Sequence, residues 1–471
     1  MNTSPNEIQS SSFFSILTCG LVTGSLQVVL SVSYAALVYG GQLSLYSAQG
    51  VGFALLGALI TATSLTLFSA LPGTVGSNQD VSVAIFSLIS LSIVASMPPG
   101  ADLENTFYTV ALTISITVLL TGLFFLGLGA FDLGGLIRYL PYPVVGGFLA
   151  GTGWLLFTGG LSLTVETENF KEIFQSHLLV RWLPGLLFSF IILVVSKRYR
   201  NSIILPGIIF SGFFLFYGAA WHLDYSIDDL LKNKWLLGPF PEQSLWKPIS
   251  VTNLSMVEWN VIKNQAANIV TVMAVSSLTL LLNASAMELE TKKDIDLNKE
   301  LRLAGITNLL SCLSPGFVGF RQLSLTNLNF RMGAQSRITG LIGASVIAFT
   351  LFWGISIVSY LPKIIMGGVL MYLGLTFLVE WAYETWFTLP KIDFAIIWLV
   401  LLVIATFGFM PGIGVGLVAA IIMFVVSYSR TEVVRYELTG NNYQGLFSGN
   451  SDPSLIVEKK KEYVYILRLP T

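Results

Sequence analysis

Two short stretches of the chain combine glycines with polar residues between apolar segments. Residues 73–80 read Gly-Thr-Val-Gly-Ser-Asn-Gln-Asp, and residues 314–326 read Ser-Pro-Gly-Phe-Val-Gly-Phe-Arg-Gln-Leu-Ser-Leu-Thr. Each stretch leads into an apolar run shorter than the ~20 residues that a helix needs to cross a bilayer. Non-helical backbone inside a membrane is tolerated only where protein or water satisfies its polar groups. The two stretches therefore predict two broken spans with a polar pocket beside them.

The chemistry that suits the second stretch is the binding of an anion. Ser324 and Thr326 are residue types that cap helix N-termini, so we expect a short helix to begin there. Its first N–H groups and the positive end of its dipole would then point into the pocket. Arg321 would add a fixed guanidinium, with a loop or lipid-headgroup arginine as the equal alternative.

The first stretch favours a different ligand. Asp80 begins its short helix, where a carboxylate would occupy the positive end that an anion needs. An acid inside a membrane predicts a proton carrier, a ligand of a coupling ion (H⁺ or Na⁺) or a counter-ion for a cationic solute, with a simple N-terminal acid that faces solvent as the alternative. Ser77 and Gln79 are neutral hydrogen-bonding candidates beside it. Asn283 would face the pocket from another span or bond a neighbouring helix.

The composition is typical of a polytopic membrane protein. Apolar residues make up 54% of the 471 residues and charged residues 11%, and long uncharged stretches recur. Two cysteines in apolar surroundings and two isolated histidines predict no disulfide framework and no metal site. No nucleophile–base pair or phosphate loop is visible, so we expect no enzyme, no cofactor and no nucleic-acid partner. The first apolar run lacks a preceding basic region, so no signal peptide is predicted.

The apolar segments predict an all-α protein with about fourteen transmembrane spans. Spans three and ten are the broken ones, at residues 81–95 and 314–337. The other predicted spans are residues 13–38, 45–71, 106–129, 144–163, 183–195, 203–221, 266–287, 301–313, 338–360, 364–379, 394–409 and 413–428.

An internal repeat relates span five to span twelve. Seven residues recur at one fixed offset: Tyr139, Leu140, Pro141, Gly146, Gly147, Leu149 and Gly153 match Tyr360, Leu361, Pro362, Gly367, Gly368, Leu370 and Gly374. Seven spans per half is an odd number, so the second half enters the membrane from the opposite side. Inverted repeats of this kind place the substrate near the bilayer midplane, between discontinuous helices. We therefore expect the substrate between the starts of spans three and ten, and close packing at the repeated glycines.

The distribution of charge predicts the orientation in the membrane, and the last residues predict a further domain. Lysine and arginine favour the loops on the side of the N-terminus, which predicts cytoplasmic termini in a plasma (inner) membrane. The transmembrane domain is predicted to cover residues 1–437. Residues 438–471 predict a polar linker and a strand at 463–469, the first strand of a soluble domain that is cut short.

Several motifs resemble the SulP family of sulfate permeases and related anion transporters. They are Leu45-Tyr46-Ser47-Ala48, residues 138–148, residues 296–308, residues 333–336 and the final strand, which is similar to the start of a cytoplasmic STAS domain. The resemblance implies a seven-plus-seven inverted repeat and transport of elevator type. Spans one to four and eight to eleven would form a mobile core, and spans five to seven and twelve to fourteen a gate that dimerises.

The sequence also departs from the family pattern. Family members commonly carry a basic residue early in span ten and an acidic residue in span eight, and the corresponding residues here are Leu325 and Asn283. A Pro-Gln pair in span one corresponds to Val29 and Leu30. The sequence thus resembles a divergent cyanobacterial and fungal branch that carries a Gln-Asp pair in span three, and its substrate need not be sulfate.

These observations predict a secondary active transporter of a small inorganic anion such as sulfate or bicarbonate. A second hypothesis keeps the scaffold and moves an amino acid or another partly cationic solute, which suits Asp80. A channel or a non-transporting scaffold is a third. The expected partners are the solute, a coupling ion, the lipid bilayer and a second copy of the chain. The predicted substrate-binding residues are Ser77, Gln79, Asp80, Asn283, Arg321, Ser324, Leu325 and Thr326.

Overall fold

A computed structural model describes residues 13–135, 142–165, 175–199, 204–240, 245, 251–291, 294–429, 436–439 and 465–468. The first three residues of the repeat, 139–141, and the predicted linker at 440–462 lie outside these ranges. The first half contains α1 (Phe13–Val38), a 3-10 turn (Gly41–Tyr46), α2 (Ser47–Phe68), β1 (Gly76–Asn78), α3 (Asp80–Ser96), α4 (Leu103–Ala130), α5 (Tyr142–Val165), α6 (Ser176–Tyr199) and α7 (Ile204–His222).

The second half follows a connection that holds α8 (Ile227–Lys232), a 3-10 turn (Val251–Met256) and α9 (Trp259–Asn264). Its elements are α10 (Ala266–Thr291), α11 (Leu297–Ser311), β2 (Gly319–Arg321), α12 (Leu323–Arg331), α13 (Arg337–Trp353), α14 (Ile355–Ser359), α15 (Lys363–Phe377), a π-helical turn (Leu378–Tyr383), α16 (Thr385–Thr388), α17 (Lys391–Phe407) and α18 (Phe409–Ser429).

The prediction of an all-α polytopic membrane protein is confirmed. Fourteen helices of the described part have seven residues or more, one for each predicted span. Eight of the described helices are long and apolar enough to cross a bilayer by length and composition. α3 and α12 are short, as expected for broken spans.

Some helix boundaries differ from the prediction for identifiable reasons. α6 begins before Pro184 and continues through it, which a membrane helix tolerates because its neighbours satisfy the freed backbone group. α11 begins at Leu297 because the Asp296 carboxylate accepts hydrogen bonds from the N–H groups of Asn298 (3.0 Å) and Lys299 (3.1 Å). Span eleven is divided at Gly354 into α13 and α14.

The inverted repeat places equivalent residues against each other. α5 begins directly after the first Tyr-Leu-Pro copy and α15 directly after the second. The two helices pack so closely that a Cβ on Gly153 would lie 2.8 Å from the Gly374 carbonyl oxygen, and a Cβ on Gly374 2.5 Å from that of Gly153. The predicted close packing at the repeated glycines is therefore confirmed for this pair.

The long helices pack in two groups. α1–α4 contact α10–α13, whereas α5–α7 contact α15, and α5 also contacts α17. The groups meet where α1 and α3 contact α5 and where α1 contacts α15. This grouping parallels the predicted division into core and gate, whose movement stays a prediction.

The last described segments form a separate unit. β3 (Tyr436–Thr439) pairs antiparallel with β4 (Tyr465–Arg468), with Tyr436 opposite Arg468. β4 lies within the predicted strand, whereas β3 spans the predicted boundary between the transmembrane domain and the linker. The likeness to a STAS domain stays a prediction.

Candidate functional site

β1 and β2 form a two-stranded antiparallel sheet that joins the two broken spans. Its register places Gly76 opposite Arg321, Ser77 opposite Phe320 and Asn78 opposite Gly319. Two more backbone bonds extend it, from Gln79 N to Val318 O (2.8 Å) and from Gln322 N to Val75 O (2.9 Å). Each extended segment thus satisfies the polar backbone of the other, which the interior of a membrane protein requires. This pairing brings the starts of α3 and α12 close together, as the expected position of the substrate between spans three and ten requires.

Asparagine side chains complete the two edges of this sheet. Asn308 of α11 accepts from the Gly319 N–H (2.8 Å) and donates to the Gly319 carbonyl (2.9 Å), as a neighbouring strand would. Asn78 donates to the Ala54 carbonyl (3.0 Å) and to the Ser31 hydroxyl (3.2 Å). The polar groups of the two paired segments, residues 75–79 and 318–322 (called the crossover below), are therefore bonded to α1, α2 and α11 rather than exposed to lipid.

Glycines allow α2 to lie directly against the sheet. A Cβ on Gly319 would come within 2.1 Å of the Thr61 hydroxyl, and a Cβ on Gly57 within 2.7 Å of the Gly316 Cα atom. Since real side chains do not approach so closely, these positions require glycine for packing. This explains the glycines in the second stretch of the sequence.

The two short helices begin one residue after glutamines. Gln79 and Gln322 are the N-cap residues of α3 and α12, and neither side chain forms a capping bond. The prediction that Ser324 or Thr326 caps α12 is wrong, because the extended backbone of β2 ends at Gln322 and both residues fall inside the helix. Thr326 is fully buried, and its hydroxyl accepts from the Val75 N–H at 3.0 Å. It ties the first half of the repeat to the second.

The two neighbours of Thr326 in the predicted site lie in different surroundings. The Ser324 side chain is exposed. Leu325 is 4% exposed and belongs to an apolar cluster between the two helix groups. The buried members of this cluster, called the seal below, are Leu26, Val29, Val75, Ile192, Ile209, Leu325, Leu328 and Val369.

Asp80 is a buried carboxylate at the start of α3. It is 8% exposed, and its Oδ1 accepts from the Val81 N–H at 2.9 Å. Tyr34 of α1 is 1% exposed and lies within electrostatic range of this carboxylate. No lysine or arginine of the described ranges forms an ion pair with Asp80. Within the described residues, the carboxylate is therefore buried without a lysine or arginine to balance its charge.

Arg321 does have a carboxylate partner. Its guanidinium bonds to Glu300 of α11 and, at 2.9 Å, to the Ser69 hydroxyl. The side chains of Arg321 and Glu300 are 5% and 10% exposed, so the pair is buried. Because the two charges cancel, Arg321 does not supply the free cation that the sequence led us to expect for an anion.

The neutral candidates divide between the crossover and α10. Ser77 and Gln79 are fully buried, and Gln79 Nε2 donates to the Ser276 carbonyl of α10 at 3.2 Å. The Ser77 hydroxyl and Gln79 Oε1 have no hydrogen-bond partner within the described residues. Asn283 is half-buried and donates to the Thr279 carbonyl of its own helix at 2.8 Å. The structure thus brings Ser77, Gln79 and Asp80 together, and its hydrogen bonds do not connect Asn283 to them.

A cavity opens on one side of this centre and the seal lies on the other. The cavity, called the vestibule below, has a volume of about 600 Å³ and lies at the C-terminal ends of α1 and α5. Ser87 of α3 lines it, ~10 Å along the helix from Asp80. Among the described residues, the polar ones that line it are Gln42, Ser44, Ser47, Ser87, Ser90, Ser162, Lys234 and Lys363.

The sequence reasoning missed two residues that hold the crossover. Glu300 and Asn308 both lie within residues 296–308. This segment supports the resemblance to the family, but the sequence analysis assigned no role to its residues. The sequence shows an acidic residue, Glu300, at the start of an apolar segment, and such an acid predicts a partner of opposite charge. Its pairing with Arg321 depends on how α11 folds back against β2.

Comparison with known sequences identifies the family. A sequence profile of the Sulfate permease family matches residues 13–401. The vacuolar basic amino acid transporter VSB1 of Saccharomyces cerevisiae is 22% identical over 85% of this chain and 40% of its own length. Pendrin of Homo sapiens is 25% identical over 73% of this chain and 47% of its own length. The bicarbonate transporter BicA of Picosynechococcus is 22% identical over 77% and 62%. The chain thus spans less than two thirds of the length of these relatives.

Solved structures share the fold. The transmembrane domain of a cyanobacterial BicA superposes with a TM-score of 0.63 at 17% identity, over 88% of this chain and 99% of that domain. SLC26A9 superposes with a TM-score of 0.68 at 18% identity, over 96% of this chain and 70% of its own. The profile match, together with the paired broken spans and the inverted repeat, shows that this integral, multi-pass membrane protein belongs to the Sulfate permease family.

Proposed function

We propose that the chain is a secondary active transporter whose solute carries both a positive group and a carboxylate, and that this solute is a basic amino acid. The observation that carries the proposal is the buried Asp80, which forms no ion pair with a lysine or arginine of the described part of the chain, whereas Arg321 is paired with Glu300. A solute cation would balance Asp80, since a buried charge is stable only when it is paired.

The second short helix suits the other end of such a solute. The N-terminal end of a helix carries roughly half a positive charge and free N–H groups, and α12 has no acidic residue in its first turn. In transporters with broken helices, this type of end faces the carboxylate of the substrate. The two helix ends therefore differ in charge: α3 offers a carboxylate and α12 offers N–H donors.

The name of one relative agrees with this assignment. The yeast relative described above is named for the transport of basic amino acids. Because it is only 22% identical, its name supports the proposal but does not carry it.

We also propose that the chain lies in a plasma (inner) membrane with cytoplasmic termini. The distribution of lysine and arginine among the loops is the observation that supports this orientation.

A small inorganic anion such as sulfate or bicarbonate is the second candidate. BicA is named a bicarbonate transporter, and the vestibule is lined by Lys234 and Lys363. For an anion to bind between the helix ends, Asp80 would first have to take up a proton, because two negative charges would otherwise share one buried site. Anion transport would then be coupled to protons through Asp80.

We propose alternating access for either solute, with α1–α4 and α10–α13 sliding as one body past α5–α7 and α15–α18. The packing of the long helices in two groups supports this, as does the contrast between the open vestibule and the apolar seal. A homodimer and an H⁺ or Na⁺ coupling ion belong to the same proposal. Transport of this kind involves no covalent chemistry.

The test is uptake by liposomes that contain the purified full chain, with labelled arginine, sulfate and bicarbonate compared in parallel. We expect saturable arginine uptake that shows counterflow, since a channel would not show it. Asp80→Asn should lower the affinity for arginine by about 30- to 4,000-fold, because loss of one partner from a buried charge pair costs ~2–5 kcal/mol.

The matched control is Asp102→Asn, which makes the same change at an exposed position. If sulfate or bicarbonate is taken up in place of arginine, and Asp80→Asn retains that uptake but loses its dependence on a proton gradient, the second candidate is correct. Uptake of none of the three solutes would refute both.

A further inference from the structure

Ser276 of α10 carries a buried hydroxyl that has no hydrogen-bond partner among the described residues. Its neighbour Ser277 instead donates to the Ala274 carbonyl of the same helix at 2.7 Å, which is what a serine inside a helix commonly does. A buried hydroxyl that is left unpaired costs free energy. A solute group that bonds to the Ser276 hydroxyl would remove this cost, and binding would gain by the same amount.

The side-chain amide of Gln79 presents a second unpaired oxygen close to Ser276. Gln79 Nε2 donates to the Ser276 carbonyl at 3.2 Å. This bond fixes the direction of the amide, because the opposite arrangement would place the amide oxygen against the carbonyl oxygen. Gln79 Oε1 has no donor in the part of the chain that the structure describes. Since Oε1 can only accept hydrogen bonds, it requires a ligand that presents N–H or O–H groups.

Hydrogen bonds at two levels hold α10 alongside α3. Gln265, directly before α10, donates to the Ser92 hydroxyl near the end of α3 at 2.9 Å. The bond from Gln79 to Ser276 joins the start of α3 to the middle of α10. The two helices therefore run antiparallel within one helix group. Gln79 and Ser276 should keep their relative positions when this group moves as a body.

The charge at this place is negative. Asp80 directly follows Gln79 as the first residue of α3, so their Cα atoms are ~3.8 Å apart. Its Oδ1 already accepts from the Val81 N–H, and a carboxylate has room for further donors. The Asp80 carboxylate and Gln79 Oε1 are thus both acceptors. A ligand that binds to both must supply several N–H groups and a positive charge.

A guanidinium group suits these acceptors better than an ammonium group. A guanidinium is planar and has five N–H donors in fixed directions, so it can bond to a carboxylate along one edge and to other oxygens along the next. An ammonium group has three donors around a compact charge, and its arrangement matches a carboxylate alone less specifically. Buried N–H groups without acceptors cost free energy, so additional oxygens matter more for a guanidinium.

We propose that the cationic group of the solute is a guanidinium and that Gln79 and Ser276 determine this specificity. The Asp80 carboxylate balances the charge, and Gln79 Oε1 and Ser276 Oγ accept N–H groups that the carboxylate does not reach. This assignment rests on the function proposed above and adds a preference for arginine over lysine. Lysine would pair with Asp80 but leave the two oxygens without donors, which lowers its affinity.

The test is equilibrium binding of labelled arginine and labelled lysine to the purified full chain in mixed micelles. We expect arginine to bind about tenfold more tightly than lysine or better, and Ser276→Ala to weaken arginine binding by about 10- to 100-fold, as for a hydrogen bond to a charged group. Lysine binding should change by less than about threefold, so the variant loses its preference. Ser277→Ala is the matched control, because that hydroxyl is already bonded within α10, and it should bind both solutes like the wild type.

The unfolding midpoint without solute separates a binding role of Ser276 from a structural one. Because no described residue bonds to the Ser276 hydroxyl, Ser276→Ala should be at least as stable as the wild type. A lower midpoint without arginine would show that this hydroxyl supports the fold, and the specificity proposal would be overturned.

Failure of this proposal can be distinguished from failure of the proposed function. If the wild type binds arginine and lysine equally, or if Ser276→Ala weakens both to the same extent, the guanidinium assignment is wrong although the solute is still a basic amino acid. If the wild type binds neither, both proposals are wrong. Asp80→Asn should weaken the binding of both solutes, because both depend on its charge.

Discussion

The buried pair of Arg321 and Glu300 gives the sharpest prediction about the crossover. In Glu300→Gln the carboxylate is replaced by a neutral amide of the same shape, and the Arg321 guanidinium stays where it is, 5% exposed. Removing one partner of a buried ion pair costs ~3–5 kcal/mol, because the remaining charge is left without compensation. The amide oxygen can still accept one hydrogen bond, so we expect a loss of unfolding free energy near ~3 kcal/mol.

The same change should alter the choice of solute. Gly76 lies opposite Arg321 in the sheet, and Asp80 follows four residues later, which is ~13 Å of extended chain. Taking this backbone length as the separation of the charges, the uncompensated guanidinium repels a solute cation beside Asp80 by ~1.3 kcal/mol at an effective dielectric constant of ~20. Glu300→Gln should therefore weaken arginine binding by about tenfold.

The assays are unfolding of the purified chain in mixed micelles and arginine binding. Glu384→Gln is the matched control, because Glu384 forms an exposed ion pair with Lys197 and its loss should cost less than ~1 kcal/mol. The double variant Glu300→Gln/Arg321→Gln removes both charges and should recover ~1–3 kcal/mol of the loss. If Glu300→Gln is as stable as Glu384→Gln and binds arginine like the wild type, the account of the buried pair is wrong.

Three further predictions concern the packing and caps around the site. Gly319→Ala should abolish transport and lower stability, since its Cβ would lie 2.1 Å from the Thr61 hydroxyl, and Thr61→Ala should restore part of both in uptake and unfolding assays. Thr326→Val should cost ~1–3 kcal/mol by leaving the Val75 N–H unpaired, whereas Thr326→Ser should cost less; unfolding midpoints compare the two. Hydrogen bonds from the backbone N–H groups of Lys299 and Asn298 lower the pKa of Asp296 in the folded state. The carboxylate therefore contributes its full stabilisation above pH ~4 and loses it as the pH falls through the lowered pKa of the folded state. In Asp296→Ala, the free energy of unfolding should depend less on pH in this acid range, which unfolding measured as a function of pH would show.

The sequence predicted the architecture because the signals involved are local or periodic. Apolar length located the spans, and the repeated Tyr-Leu-Pro and glycines related α5 to α15. Glycines followed by polar residues located the two extended segments that precede α3 and α12. Asp80 was identified as the unusual charge because an acid in an apolar setting is visible without a structure.

The roles of the side chains around β2 could not be predicted in this way. The pairing of Arg321 with Glu300 and of Asn308 with Gly319 depends on how α11 and β2 pack, which no local pattern encodes. Serine and threonine often cap helices, but here the extended backbone of β2 continues through Gln322 and fixes the start of α12 at Leu323. The prediction that Ser324 or Thr326 caps the helix failed for this reason. The direction in which Ser324 and Leu325 point follows from that start.

The most direct test of the central claim is a density map of the full chain saturated with arginine. We predict density between the starts of α3 and α12, with a cationic group within ~4 Å of the Asp80 carboxylate and the ligand carboxylate at the first N–H groups of α12. Arginine bound elsewhere, or Asp80 in an ion pair with a lysine or arginine of the protein itself, would contradict the account.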